Sequence, residues 1–377
     1  MTTKPNPANE RVKRDYFRWL REAHGRDDAT VDGVAASLAR FERSTKARDF
    51  KRFRQDQAVA FKRRLASEVN PRTGKPISKA TMHAILRDLR AFFGWLSREP
   101  GFRQSLDYTD ADYFNLTDKD LALATVRREP NPPTLDQVRR TLMAMPGDTV
   151  LERRDRALIA FALLTGARAN ALASFRLGHV NVAEGYVDQD ASAVRTKAAK
   201  TFRTYFMPTD DHARRFVDDW YTELVRDHAW GPGDPLFPQT AIGLGAAGGF
   251  MPVGIHRRGW SSSQPVRDIF QRAFAAADLP CFNPHSFRAM LVRHYMAMGL
   301  SAEHMKAISQ NLGHADVLTT FTSYGRVPTH RQGELIKGTR QPATGQGLLN
   351  DPDILNLIAA IQAKGQSGLP AISQPRR

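Results

Sequence analysis

A chain of 377 residues is longer than one hydrophobic core of usual size organises, so two domains are expected. With 41% hydrophobic and 25% charged residues, the composition is that of a soluble globular protein and excludes a fibrous or disordered one. The 55 Lys and Arg against 39 Asp and Glu leave a net charge of +16, and spread positive charge favours a polyanion such as duplex nucleic acid through counterion release.

From about Arg11 to Arg98 the pattern is helical. "KRFRQDQAVAFKRRLASEV" sets Lys51, Arg52, Arg54, Lys62, Arg63 and Arg64 around Phe53, Val59, Phe61 and Leu65. "SKATMHAILRDLRAFFGWLSRE" has Ser78 as a helix cap and Met82, Ile85, Leu86, Leu89, Phe92, Phe93 and Leu96 at three- and four-residue steps, which is one apolar stripe. Lys79, His83, Arg87 and Arg90 lie off that stripe. With Lys75 just upstream, Lys79, Arg87 and Arg90 read either as a phosphate-gripping surface or as a solvated basic face.

"VRREPNPPTL" gathers Pro130, Pro132 and Pro133, which stiffen the chain and mark a linker over residues 127–133. Thr134 and Gln137 form a capping box opening the next helix. "RDRALIAFALLTGARANALASF" is an apolar helix stopped near Gly166 and restarted at once, with Arg168 at the break. "GYVDQD", "ASAVRT" and "FRTYFMP" are expected as short strands of one small sheet. The Gly- and Pro-rich run around residues 229–263 is expected as a long surface loop or insertion. Helices resume with "VRDIFQRAFAAAD", "HSFRAMLVRHYMAMG" and "SAEHMKAISQNLG". After a polar stretch, Ile354, Leu357, Ile358 and Ile361 share the face of a final helix that packs on its own chain or docks elsewhere.

No apolar run approaches the ~20 residues of a spanning helix, and the opening "MTTKPNPANERVKRDYF" lacks the apolar core of a signal peptide. The expectation is therefore a cytoplasmic, DNA-associated protein with no membrane partner. The lone Cys281 excludes an internal disulfide framework and a cysteine-rich zinc site, and is expected as a buried thiol.

The residues that carry chemistry cluster late in the chain. "HSFR" puts His285 and Arg288 on one side of a helix, and His314 precedes Tyr324 by ten positions in "LGHADVLTTFTSYGRV". With Arg168, these suit phosphoryl transfer at a phosphodiester. Two guanidiniums can fork onto the non-bridging oxygens and stabilise charge that grows in the transition state, and tyrosine supplies an oxygen nucleophile. A free phenol has a pKa of about 10, so His285 or His314 is needed to take its proton, and Lys197 or Lys200 to protonate the leaving 5′ oxygen. Taken alone, Arg168 reads as a helix-terminal surface arginine, His285 as a capping or core histidine and Tyr324 as a packed aromatic. A metal site from His285, His294, His304 and His314 has no H-E-x-x-H pattern behind it.

The ordered set "TGAR", "HSFR" and "LGH" followed by tyrosine resembles the tyrosine recombinases of phage integrase, Cre and Xer type, over roughly residues 134–327. The resemblance implies a mainly α fold: an all-helical N-terminal core-binding domain (1–126), a mostly helical catalytic domain with a small antiparallel β-sheet (134–330), and a C-terminal tail (331–377) whose helix exchanges onto a neighbouring protomer. It implies that Arg168 and Arg288 clamp the scissile phosphate and that Tyr324 attacks it to give a 3′-phosphotyrosyl link. His285 would move protons, His314 would contact a phosphate oxygen, and Lys200, eight before Pro208, would be the general acid, with Lys197 second. It further implies no cofactor and no metal, duplex DNA with a specific recombination site as partner, a homotetramer joining two sites, a clamp of two domains around the duplex, and accessory proteins. Two other readings are a type IB-like topoisomerase and a DNA-binding relative that has lost catalysis. Three positions depart from the family pattern: Ala171 stands where an acidic residue usually supports the first arginine, Ala289 where a further histidine often follows, and the His314 to Tyr324 interval is one longer than is common.

Overall fold

The protein is described by a computed structural model covering residues 4–71, 73–126, 131–196, 200–245 and 248–314, together with Thr320, Gln332 and Ile336. The chain divides into two compact units, Met1–Arg128 and Glu129–Arg377.

The described part of the first unit is almost wholly helical: α1 (Pro7–Glu22), α2 (Asp28–Ser44), α3 (Gln55–Ser67), α4 (Lys79–Leu96), a 3-10 segment Tyr108–Phe114 and α5 (Asp118–Thr125). Ser78 caps α4 by accepting the Thr81 amide at 3.1 Å, and all seven residues of the apolar stripe are buried. They meet an aromatic core in which the rings of Phe41, Phe53, Phe61, Phe92, Phe93 and Phe114 pack partly edge to face, as Phe41 and Phe93 do at 5.5 Å and 81°, and partly stacked or tilted, as Phe93 and Phe114 do at 5.1 Å and 22°. Such pairs add to the burial of large apolar surface.

The second unit is built around α7 (Val150–Thr165). Every residue from Ala157 to Thr165 is buried, so this helix is apolar on all sides because neighbours cover all sides. Around it stand α6 (Leu135–Ala144), α8 (Ala169–Leu172), α9 (Asp211–Arg226), α10 (Gln264–Ala276), α11 (Pro284–Ala297) and α12 (Ala302–Asn311). The capping box expected at Thr134 and Gln137 opens α6. A three-stranded antiparallel sheet runs β1 (Val180–Asn181), β2 (Tyr186–Gln189), β3 (Phe202–Tyr205), with Val187 opposite Thr204.

Three expectations are corrected. "ASAVRT" is a turn and not a strand. Asp190 accepts the Ser192 amide at 2.9 Å through its side chain and the Val194 amide at 2.7 Å through its carbonyl, which turns the chain and buries Val194. The sheet's other strand is instead Val180–Asn181. The run expected as a loop is a hairpin of β4 (Pro238–Leu244) and β5 (Phe250–Gly259), bulged at two places. Its base is pinned by Arg154, which donates to the Pro238 carbonyl and the Thr240 hydroxyl, each at 3.0 Å. Glycines broke the alternation that would have announced these strands. Cys281 is exposed, on the segment just before α11.

Candidate active site

The break in "TGAR" has a backbone cause. Gly166 ends α7 in the left-handed region at φ +60, where a side chain is strained. A Cβ at this position would also lie 2.7 Å from Leu312 Cδ2 and 3.2 Å from Leu291 Cδ1. The reversal lets α8 start at once, and Arg168 is its N-cap residue, half-buried. Its guanidinium makes no hydrogen bond or ion pair with the described residues. Ala171, where the family pattern expects an acid, is 1% exposed and packs into the core.

Asn283 caps α11 by accepting the Ser286 amide at 3.1 Å, and Pro284 occupies the first turn. His285 is therefore exposed at the helix start, while Arg288, nearly one turn on, is 2% exposed. Arg288 donates through Nη1 to the Gly166 carbonyl at 2.8 Å and through Nη2 to the Leu312 carbonyl and to His314 Nε2, the latter at 2.9 Å. The three motifs thus meet at one guanidinium, whose rigid fork suits several acceptors at once.

His314 follows the end of α12. Gly313, at φ +69, turns the chain there, and any side chain on it would overlap the Phe202 ring. The turn is held to β3: the Asn311 side chain accepts the Tyr205 amide at 2.7 Å and donates to the Tyr205 carbonyl at 2.9 Å, and Thr204 Oγ1 donates to the Asn311 carbonyl at 2.8 Å. The imidazole is buried, with Nδ1 2.7 Å from Thr320 Oγ1, which in turn donates to Ser309 Oγ at 2.8 Å. Burial pushes the His314 pKa down to about 3, helped by Arg288, Arg168, Lys200 and His285 in that order. Those four side chains therefore share one electrostatic neighbourhood with it.

Lys200 is exposed, two residues before β3. On the far side of its segment, Arg195 anchors the chain by donating to the Ala173 carbonyl at 3.0 Å and the Trp260 carbonyl at 2.8 Å. Tyr324, Lys197 and the expected tail helix around residues 354–361 lie outside the described residues.

The expected N-terminal contacts lie in the first unit. Lys75 is exposed beside an isolated bridge, Val69 to Pro76. Lys79, Arg87 and Arg90 fall within about 80° of one another around α4. Each pairs with a carboxylate: Lys79 with Asp120 at 2.9 Å, Arg87 with Asp88 at 3.2 Å, Arg90 with Asp112 at 2.8 Å. Ser309, Thr320 and Asn311 were not singled out from sequence, although Thr320 lies within the same quoted stretch as His314. Among the described residues, no three His, Cys, Asp or Glu side chains are grouped to hold a metal ion, and no helix is long and apolar enough to cross a membrane.

Comparison with known proteins gives a concordant result. The phage integrase family model matches residues 134–331. The chain is 25% identical over 283 residues to the tyrosine recombinase XerD of Ralstonia nicotianae, covering 65% of this chain and 83% of that protein. It is 26% identical over 195 residues to XerD of Neisseria meningitidis serogroup B, covering 50% and 57%. Similar folds are found in XerH site-specific recombinase bound to a palindromic difH substrate, a post-cleavage complex (TM-score 0.55, 17% identity, 87% of this chain and 84% of that one). A lambda integrase dimer bound to a COC' core site is also similar (TM-score 0.53, 15% identity, 84% and 94%).

Proposed function

The chain belongs to the phage integrase family, a tyrosine recombinase in kind, and from that premise we propose that it is a site-specific recombinase that cleaves and rejoins DNA through a 3′-phosphotyrosyl intermediate. The observation that carries the reading is the meeting of "TGAR", "HSFR" and "LGH" at the Arg288 guanidinium.

In the proposed reaction, Arg168 and Arg288 hold the non-bridging oxygens of the scissile phosphate. The Tyr324 phenol gives its proton to His285 as its oxygen bonds to phosphorus. The bond to the 5′ oxygen breaks, and Lys200 protonates that oxygen. The phosphodiester energy is kept in the link to protein. A 5′ hydroxyl from a partner duplex then reverses the steps and completes strand exchange. Stabilisation of charge on the equatorial oxygens is the main requirement of such a transition state. Lys75, Lys79, Arg87 and Arg90 would hold the duplex by its phosphates, four protomers would join two sites, and the tail beyond residue 330 would serve exchange between protomers.

The test is a nicked duplex bearing the sequence the protein selects from a random pool. A covalent adduct is expected with the wild type and none with Tyr324→Phe; an adduct that survives this change removes Tyr324 as nucleophile. Relaxation of a plasmid lacking any selected site would replace the proposal with a type IB-like topoisomerase.

A further inference from the structure

We infer that Asn311 is a positioning residue for the general acid: by bracketing Tyr205 at the open edge of β3 it sets the strand that leads from Lys200 in register with the turn that carries His314, and so places the proton donor at the departing 5′ oxygen. The inference rests on the proposed phosphoryl transfer for its catalytic consequence, while the bracket stands on geometry.

The sheet runs β1, β2, β3, so β3 is an edge, and the outward backbone groups of an edge strand need partners. Among the described residues no fourth strand supplies them. At Tyr205 the Asn311 side chain does so: Oδ1 accepts the amide at 2.7 Å and Nδ2 donates to the carbonyl at 2.9 Å, the two bonds that a facing residue of a further strand would make. A primary amide carries the donor and the acceptor this requires, whereas an ionised carboxylate only accepts. One residue back, Thr204 Oγ1 donates at 2.8 Å to the Asn311 carbonyl, at the end of α12, where helix carbonyls run out of amide partners. Gln189 Nε2, from β2, donates to the same hydroxyl at 2.8 Å. Thr204 and Gln189 are 0% and 4% exposed, so water does not compete for these groups. Further along β3 the Phe202 ring covers Gly313. The strand thus runs beside residues 311–313 in the opposite direction, with Tyr205 at Asn311 and Phe202 at Gly313, and its Lys200 end lies toward His314. The depressed pKa of His314, due first to burial, carries a contribution from Lys200 accordingly. The β2 and β3 ladder fixes the strand within its sheet, and Thr201, next to Lys200, is tied to the other arm by accepting the Ala191 amide at 3.0 Å. What these bonds leave open is where the hairpin sits against the helix end, and Asn311 decides that. A slip of one residue would carry the strand about 3.3 Å, and a reacting group misplaced by about 1 Å already costs roughly 10²-fold in rate.

The test compares two leaving groups on full-length protein. Two nicked duplexes carry the selected sequence, one with the ordinary 5′ oxygen at the scissile bond and one with sulfur in its place. A thiol is acidic, with a pKa of about 8.5 in cysteine, so the sulfur departs as a thiolate and needs no proton from Lys200. Asn311→Leu keeps the bulk and removes both bonds to Tyr205. It should form adduct about 10²-fold more slowly on the oxygen duplex at saturating DNA, and at the wild-type rate on the sulfur duplex, with DNA affinity unchanged. Equal losses on the two duplexes, or no loss on either, overturn the inference. Added to Lys200→Ala, Asn311→Leu should cost nothing more on the oxygen duplex, because the two act on one step; a second loss of the same size overturns it as well. The Tyr205 amide, followed by hydrogen exchange without DNA, should lose protection in Asn311→Leu, and unchanged protection overturns the bracket. Should Asn311→Leu not fold, Asn311→Ala removes the same two bonds and gives the same readings. If the wild type forms no adduct on either duplex, the proposed reaction fails, while the bracket stands or falls by the exchange of the Tyr205 amide.

Discussion

In the first unit, Lys79, Arg87 and Arg90 stand on the outer side of α4 beside Asp120, Asp88 and Asp112. In the second, Arg288 is buried against two carbonyl oxygens and a neutral imidazole, and Arg168 has no described carboxylate partner. The difference is one of charge state as seen from outside. A surface carboxylate largely cancels its cation at long range, and such a pair is weak and screened by salt, so it can exchange one anion for another. Carbonyls and a neutral ring orient a guanidinium while leaving its full positive charge available. The first arrangement suits reversible grip along a backbone, and the second suits one fixed phosphate.

The sharpest way to break this contrast is to remove one arginine from each side. Arg288→Ala should lower strand cleavage by on the order of 10³- to 10⁵-fold, and should also destabilise the fold, because the Gly166 and Leu312 carbonyls lose a buried donor at roughly 1–3 kcal/mol each. Arg90→Ala should leave the unfolding free energy from urea titration within about 0.5 kcal/mol of wild type. Comparable losses of stability in the two would erase the distinction.

A second test uses acid. His314 has its pKa pushed from 6.5 down to about 3, so the unfolded chain takes up this proton first. Its contribution to stability is complete above about pH 6.5 and is lost as pH falls toward 3. The urea midpoint should therefore drop between pH 7 and pH 4, more steeply in the wild type than in His314→Gln; equal slopes would mean the ring is not held neutral by its surroundings.

The smallest expected effect sharpens the other side. Asp112→Asn releases Arg90 from its partner, so DNA affinity should rise several-fold at low salt, and the slope of log affinity against log salt should steepen by about 1 if Arg90 then meets a phosphate. No change in either would assign Arg90 to the solvated face of α4.

How much of this was legible in the sequence depended on how local the cause was. The α4 stripe, the Ser78 cap and the Thr134 capping box are decided within a turn or two of helix, and all were readable. Gly166, Arg288 and His314 were readable by order and spacing, though the reason Gly166 must be glycine lies in Leu312 and Leu291, far along the chain. The β4 and β5 hairpin hid behind glycines, and its anchor, Arg154, is on another element. "ASAVRT" alternates like a strand, yet Asp190 just before it turns the chain. Asp120 and Asp112, partners of Lys79 and Arg90, are 41 and 22 positions away from them, so the pairing that changes the meaning of those cations had no local signal. Ser309 and Thr320 are ordinary polar residues until folding places them behind an imidazole.

The clamp of Asn311 on both backbone groups of Tyr205 bears on how this fold can be rebuilt. Because one side chain spans the donor and acceptor of a strand residue, the end of α12 and the strand leading from Lys200 form a single cassette. A chimera that imports β2 and β3 from a relative without the matching helix end would misplace His314 by whatever offset its new strand carries. Grafts cut before Asp190 and after Thr320 would carry both ends of the joint together.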